Sequence, residues 1–124
     1  MPLIYCVEDD ENIRELVGYA LRSQDFEVET FADSREFWPA LENRMPALLL
    51  LDIMMPGESG NDILDKLHKS PQYKSLPVIM LTAKTSEYDI VKGLDGVPMT
   101  TSANFGIVEL ISRIRAVLRR RRGR

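Results

Sequence analysis

Acidic residues stand where apolar runs stop. The run "LIYCV" (3–7) gives way to Glu8, Asp9 and Asp10, and "ALLLLD" (47–52) ends on Asp52. If these runs are strands of one parallel sheet, their ends meet at one edge. Three converging carboxylates repel one another unless a cation or a proton intervenes. Oxygen ligands with no His or Cys beside them point to a hard ion, Mg²⁺ before zinc or copper. The alternative reading is a polar rim. Thr82 closes another apolar run, "LPVIML" (76–81), and would reach the same edge. Just past Asp52, "PGESG" (56–60) reads as a tight turn whose glycines permit special backbone angles and close approach to an oxyanion.

These residues need a scaffold. The runs at 3–7 and 47–52 lack polar alternation, as strands buried on both faces do, which predicts a parallel sheet covered by helices. "FEVETF" (26–31) alternates and predicts a strand nearer an edge, and Pro77 fits only at the start of its strand. Between the strands, 11–23 repeats Ile13, Leu16, Val17, Ala20 and Leu21 at helical spacing. A shorter helix is expected over 34–43, capped by Asp33 or Ser34, and another over 60–69 with an Ile63, Leu64 and Leu67 stripe. Ser86 would cap a helix over 87–95 with Ile90, Val91 and Leu94 inward; the last helix, 107–121, carries Ile107, Leu110, Ile111, Ile114 and Leu118. Strand and helix then alternate five times, provided a fifth strand lies near 97–101. That is an α/β sandwich, whose ligands bind beyond the carboxyl ends of the strands.

Bulk properties narrow the function. A chain of 124 residues is one domain with a sizeable core, and its 28% charged and 44% hydrophobic content is ordinary for a globular chain. A net charge of -3 hides an acidic first half and a basic end, "RIRAVLRRRRGR". The single cysteine, Cys6, excludes an internal disulfide and is expected as a small core residue. No apolar run is long enough to span a membrane, and "MPLIYCVEDD" is no signal peptide, so a cytoplasmic domain is expected. Dinucleotide and P-loop glycine patterns are absent, and "EDDEN" is too acidic to cradle a flavin phosphate. His68, the sole histidine, is expected on a helix surface, and Trp38 in the packing of the second helix.

"YCVEDDENIREL", "LLLLDIMMPGESG" and "PVIMLTAK" together resemble the receiver domain of bacterial two-component response regulators, over about residues 2–121. The resemblance implies a flavodoxin-like (βα)5 fold, a doubly wound five-stranded parallel sheet of order 2-1-3-4-5. It implies that Asp52 accepts a phosphoryl group from a sensor histidine kinase. Asp9 and Asp52 would hold Mg²⁺ with the backbone carbonyl of Met54, Glu8 would act through water, and the Met54 side chain would merely pack. Asp10 falls one place beyond and would face outward or start the helix. Thr82 would bond a phosphoryl oxygen and carry the switching signal. Mg²⁺ would place the phosphoryl oxygens and offset developing charge.

The chain departs from the family in "LDGVPMTTSANFG" (94–106). Counting back from Phe105, the family's lysine position holds Ala103, its proline Asn104, and its inward-swinging aromatic Thr100. A Gly–Ala–Asp–Asp–Tyr–Ile coding stretch read one base later gives Val–Pro–Met–Thr–Thr–Ser, which is residues 97–102. We read the segment as a frame excursion that leaves the chain one residue short and impairs switching; the alternative is a naturally specialised strand.

"DIVKGL" and "ELISRIRAVLRR" resemble the winged-helix class of transcriptional regulators, which implies a homodimer through the fourth helix, fifth strand and fifth helix. With Met99 and Thr100 where that class carries an acidic pair, some partners of the last helix's basic residues are lost and the dimer should weaken. The expected organisation is a receiver over 1–121 and, in 122–124, the start of a truncated linker to a DNA-binding domain, DNA being bound only through that missing domain. The arginines at 119–122 and 124 by themselves would offer only nonspecific phosphate contacts. The reading is of a self-phosphorylating regulatory domain rather than a turnover enzyme. Its rivals are a Mg²⁺-dependent small-molecule phosphatase or phosphotransferase, and a non-switching protein-interaction domain.

Overall fold

A computed structural model describes residues 1–81 and 107–120 with their side chains, and 89–92, 98–101 and 121–122 by backbone alone. The elements run β1 (Leu3–Val7), α1 (Glu11–Arg22), β2 (Glu27–Phe31), α2 (Ser34–Asn43), β3 (Leu48–Asp52), α3 (Gly60–Lys69), β4 (Val78–Leu81), β5 (Asp89–Lys92), β6 (Pro98–Thr101) and α4 (Ile107–Arg122). The first four strands form a parallel sheet of order β2-β1-β3-β4. β1 and β3 are central and buried at every position, whereas β2 is an edge strand with mixed burial, as its alternation predicts.

Successive side chains of a strand point to opposite faces, so each central strand feeds two cores. Tyr5, Val7, Leu49, Leu51, Val78 and Met80 meet Phe37 and Leu41 of α2 and Ile63 and Leu67 of α3. On the other face Ile4, Cys6, Leu48, Leu50 and Ile79 meet Val17 and Leu21 of α1 and Leu110, Ile111 and Ile114 of α4. Helices thus cover both faces, and the doubly wound α/β class is confirmed. Asp33 caps α2, and Ser59 caps α3 in a reciprocal box with Asp62.

Two expectations fail. The five-stranded parallel (βα)5 sheet of order 2-1-3-4-5 is overturned: the described residues contain a four-stranded parallel sheet, a separate antiparallel β5-β6 pair and four helices. In place of the inner part of the helix expected over 87–95 lies β5, whose Ile90 and Val91 pair with Thr100 and Met99 of β6. β6 lies close to β4 but does not join its ladder. The cause is local. Three apolar positions over five residues fit either period, while the β-branched Ile90, Val91, Thr100 and Thr101 favour strands. Asp95–Gly96 between them is a sequence of the hairpin-forming type. Pro98 opens β6, the position where a missing donor does least harm. Secondly, Leu16, expected on the apolar stripe of α1, is 56% exposed; Val17 and Leu21 define the buried side.

Candidate functional site

The carboxyl ends of β1 and β3 set the site. Glu8 follows β1 directly, and its N–H donates to the Phe31 carbonyl at the end of β2 (3.0 Å), so it continues the sheet before the chain turns into α1. Asp52 is the last residue of β3 and lies in register with Leu81 of β4. Both are buried, at 4% and 7% exposure, while Asp9 is open to solvent. One carboxylate oxygen from each of Glu8, Asp9 and Asp52 lies within 4.8 Å of the others. Asp10 turns away to cap α1, accepting from the Asn12 and Ile13 amides (2.8 and 3.1 Å), as its place in the sequence predicts.

Electrostatics make this arrangement costly without a counter-charge. Burial pushes the Glu8 carboxyl up to about 8; the Asp10 amide opposes this, and the Asp52 charge adds to it. Burial likewise raises Asp52 to about 6, reinforced by Asp9 and moderated by Glu8 and by the Met54 amide, 3.2 Å from Oδ1. Among the described residues no ion pair reaches the three carboxylates. Arg14 instead spends its guanidinium on the main-chain carbonyls of Glu8 (2.8 Å) and Asp9 (3.4 Å), bracing the β1–α1 turn. The donor set is all oxygen, buried on two sides and open at Asp9, and it fits a hard divalent cation that retains water.

Gly60 fixes the other wall. A Cβ there would sit 2.2 Å from the Asp52 carbonyl oxygen, so only glycine lets α3 start against the end of β3. Its N–H donates to the Ile53 carbonyl (3.1 Å) and closes the loop between. Of the two glycines of "PGESG", Gly60 serves a close approach to the protein's own backbone. Gly57 meets the other expectation, a special backbone angle, with φ at 75°.

Met54 follows Asp52 in this loop, but its side chain is 54% exposed and Met55 does the packing, which corrects the expectation that Met54 packs. Thr82, Ala103 and Asn104 lie outside the described residues, and Thr100 is described only by its backbone place in β6. Cys6 is fully buried, its thiol pushed up to about 12 by burial, as a core residue should be. His68 is exposed. Trp38 does pack against the α2–α3 core, but its indole also donates to Glu58 (2.9 Å), a contact no spacing in the sequence signals. A cavity of about 680 Å³ lined by Pro2, Phe26, Pro46, Leu76, Pro77 and Leu118 lies beneath the amino ends of the strands. It gives the acidic cluster no substrate pocket.

The family described as "Response regulator receiver domain" matches residues 4–101. The phosphate regulon transcriptional regulatory protein PhoB of Rhizobium meliloti is 40% identical over 121 residues, which is 97% of this chain and 53% of that protein. The sensory transduction protein RegX3 of Mycolicibacterium smegmatis is 38% identical, covering 97% of this chain and 52% of its own. The chain spans about half the length of the curated relatives it matches. Among solved structures, the Vibrio cholerae chemotaxis protein CheY4 superposes with a TM-score of 0.77 at 26% identity, over 94% of this chain and 98% of that one. The Mn²⁺-bound form of the response regulator Rcp1 gives 0.63 at 27% identity, over 70% and 69%. Among the described residues no helix is long and apolar enough to cross a membrane.

Proposed function

The chain belongs to the response regulator receiver domain family, and on that premise we propose that Asp52 is its phosphoacceptor, working beside a divalent-cation site formed by Glu8, Asp9 and Asp52. The observation that carries the reading is the convergence of these carboxylates at the carboxyl ends of β1 and β3. Such a module is a regulatory phosphoacceptor rather than an enzyme turning over a free substrate. Asp9, Asp52 and the Met54 carbonyl would hold Mg²⁺ directly, and Glu8 through water. When bound, the ion supplies positive charge for the phosphoryl oxygens.

The chain's own residues do the rest. An oxygen of Asp52 attacks phosphorus in line; an O–P bond forms as the N–P bond to the donor histidine breaks, and the imidazole leaves with the electron pair. Burial of Asp52 keeps the nucleophile poorly solvated, and its contact with the Met54 amide orients it. Thr82 would bond a phosphoryl oxygen. The family's lysine has no counterpart at Ala103, so transition-state charge is less well balanced, and Thr100 cannot act as the aromatic relay.

The wider role is likewise a proposal: a cytoplasmic receiver over 1–121, served by a sensor histidine kinase, with 122–124 beginning a linker to a DNA-binding domain. Pairing between copies would use α4 and the β5-β6 hairpin, weakened where Met99 and Thr100 replace acids. Incubation with Mg²⁺ and a small phosphodonor, followed by intact mass, tests the core of this. One stable phosphoryl adduct, absent in Asp52→Asn, supports it. Turnover without an adduct indicates a phosphatase, and neither product indicates a non-switching interaction domain.

A further inference from the structure

The loop from Ile53 to Ser59 carries Met54 past Asp52 and has few internal supports. It is closed at its base by the Gly60–Ile53 hydrogen bond, and Met55 plugs the core beneath it. Near its far end stands Glu58, an acid whose side chain is only 16% exposed. Oε1 accepts the Trp38 indole N–H at 2.9 Å. Oε2 forms an ion pair with the Lys66 ammonium. Burial pushes the Glu58 carboxyl up, but Lys66, Trp38 and the buried Ser34 hydroxyl together hold it below its ordinary value. One ionised group is thereby shared by two residues of α2, one of α3 and the loop itself. Exposed ion pairs contribute little. This carboxylate is mostly covered, and losing it would leave covered donors without an acceptor. Trp38 is itself fixed against Phe37, with ring centroids 4.9 Å apart.

We propose that Glu58 is a positioning residue for the acceptor site: by clamping the Ile53–Ser59 loop to α2 and α3 it holds the Met54 main chain beside Asp52, ready for the cation. The inference rests on the reading of Asp52 and Met54 given above. It concerns residues 20 apart in sequence that the fold joins. The loop arrives preformed instead of being ordered by the ion, so less binding energy is lost in ordering it.

The test compares wild type, Glu58→Ala and Glu58→Gln in two measurements. The first is amide hydrogen exchange of Met54 and Gly60 without metal, and the second is Mg²⁺ affinity from amide shifts around Asp52. Glu58→Ala should speed exchange at those two amides by about tenfold, corresponding to one lost hydrogen bond, with α1 and β1 unchanged. It should also weaken Mg²⁺ binding by roughly three- to tenfold. Glu58→Gln keeps an acceptor for the indole and should recover much of both. Loss of protection spread evenly over the molecule with Mg²⁺ affinity unchanged would overturn the proposal, as would no change at all. If wild type binds no Mg²⁺ yet exchange responds as described, the cation reading fails and the clamp stands. If wild type and Glu58→Ala bind Mg²⁺ equally, the clamp fails and the cation reading stands.

Discussion

Glu8 and Asp52 lie buried side by side, and their protons make the stability of the protein depend on pH in an unusual direction. Unfolded carboxyls titrate near 4, whereas in the folded chain Asp52 is raised to about 6 and Glu8 to about 8. Between those limits the folded state holds more protons than the unfolded one, so stability falls as pH rises. The contribution is complete below about pH 4 and lost by about pH 8. Metal-free protein should therefore melt at a lower temperature at pH 8 than at pH 6, and Mg²⁺ should raise the melting temperature more at pH 8. Asp52→Asn removes the repulsion and should stabilise the metal-free protein at pH 8 by on the order of 1–3 kcal/mol, read by denaturant unfolding. Gly60→Ala should act in the opposite sense. Its methyl would displace the Asp52 carbonyl, at a cost of roughly 1–3 kcal/mol by the same measurement, and slow phosphorylation as well. The acidic cluster was legible in the sequence because Glu8 and Asp52 directly close two apolar runs and Asp9 follows Glu8. Glu58 with Trp38 was not, since nothing periodic relates a loop acid to an indole on another helix, and Arg14 was missed because its partners are main-chain carbonyls.

At the scale of elements, the residues before Thr82 follow their patterns closely. Central strands announced themselves by unbroken apolar runs, and β2 by alternation. Leu16 misled because a stripe five residues wide leaves its border undecided until α1 docks. The larger divergence lies at 89–101. A parallel fifth strand needs a crossover of a dozen or more residues, whereas a hairpin needs only a turn. Once β-branched residues favour extended backbone on both sides of Asp95–Gly96, the local solution prevails. Resemblance to a family could not reveal this, because the departure from the family pattern lies in the same stretch. The hairpin predicts cross-strand backbone contacts in NMR spectra joining Asp89–Lys92 to Pro98–Thr101, in the register Ile90 to Thr100 and Val91 to Met99. Sequential helical contacts over 89–92 would contradict it.

For the whole molecule, the proposed function joins a scaffold that presents an acceptor to an altered output. The four-stranded sheet and its two cores position Glu8, Asp9 and Asp52 at the carboxyl ends of β1 and β3. Phosphorylation adds about two negative charges, but a population shift requires groups that favour the new state over the old. On the proposed reading, with Ala103, Asn104 and Thr100 at the family's relay positions, Thr82 would be left to do this by itself. The chain should thus accept phosphate and stay monomeric in sedimentation, whereas a version with 95–104 rebuilt to the family pattern should dimerise on phosphorylation. The central claim is that Asp52 becomes an acyl phosphate with the help of a divalent ion. Borohydride reduces an aspartyl phosphate to homoserine, so treated protein can be digested and position 52 read directly by tandem mass spectrometry. Homoserine at position 52, formed only when phosphodonor and Mg²⁺ are both present and lost when Asp9 is changed to Ala, is the predicted result; an unaltered Asp52, or conversion at a different acid, would contradict the account.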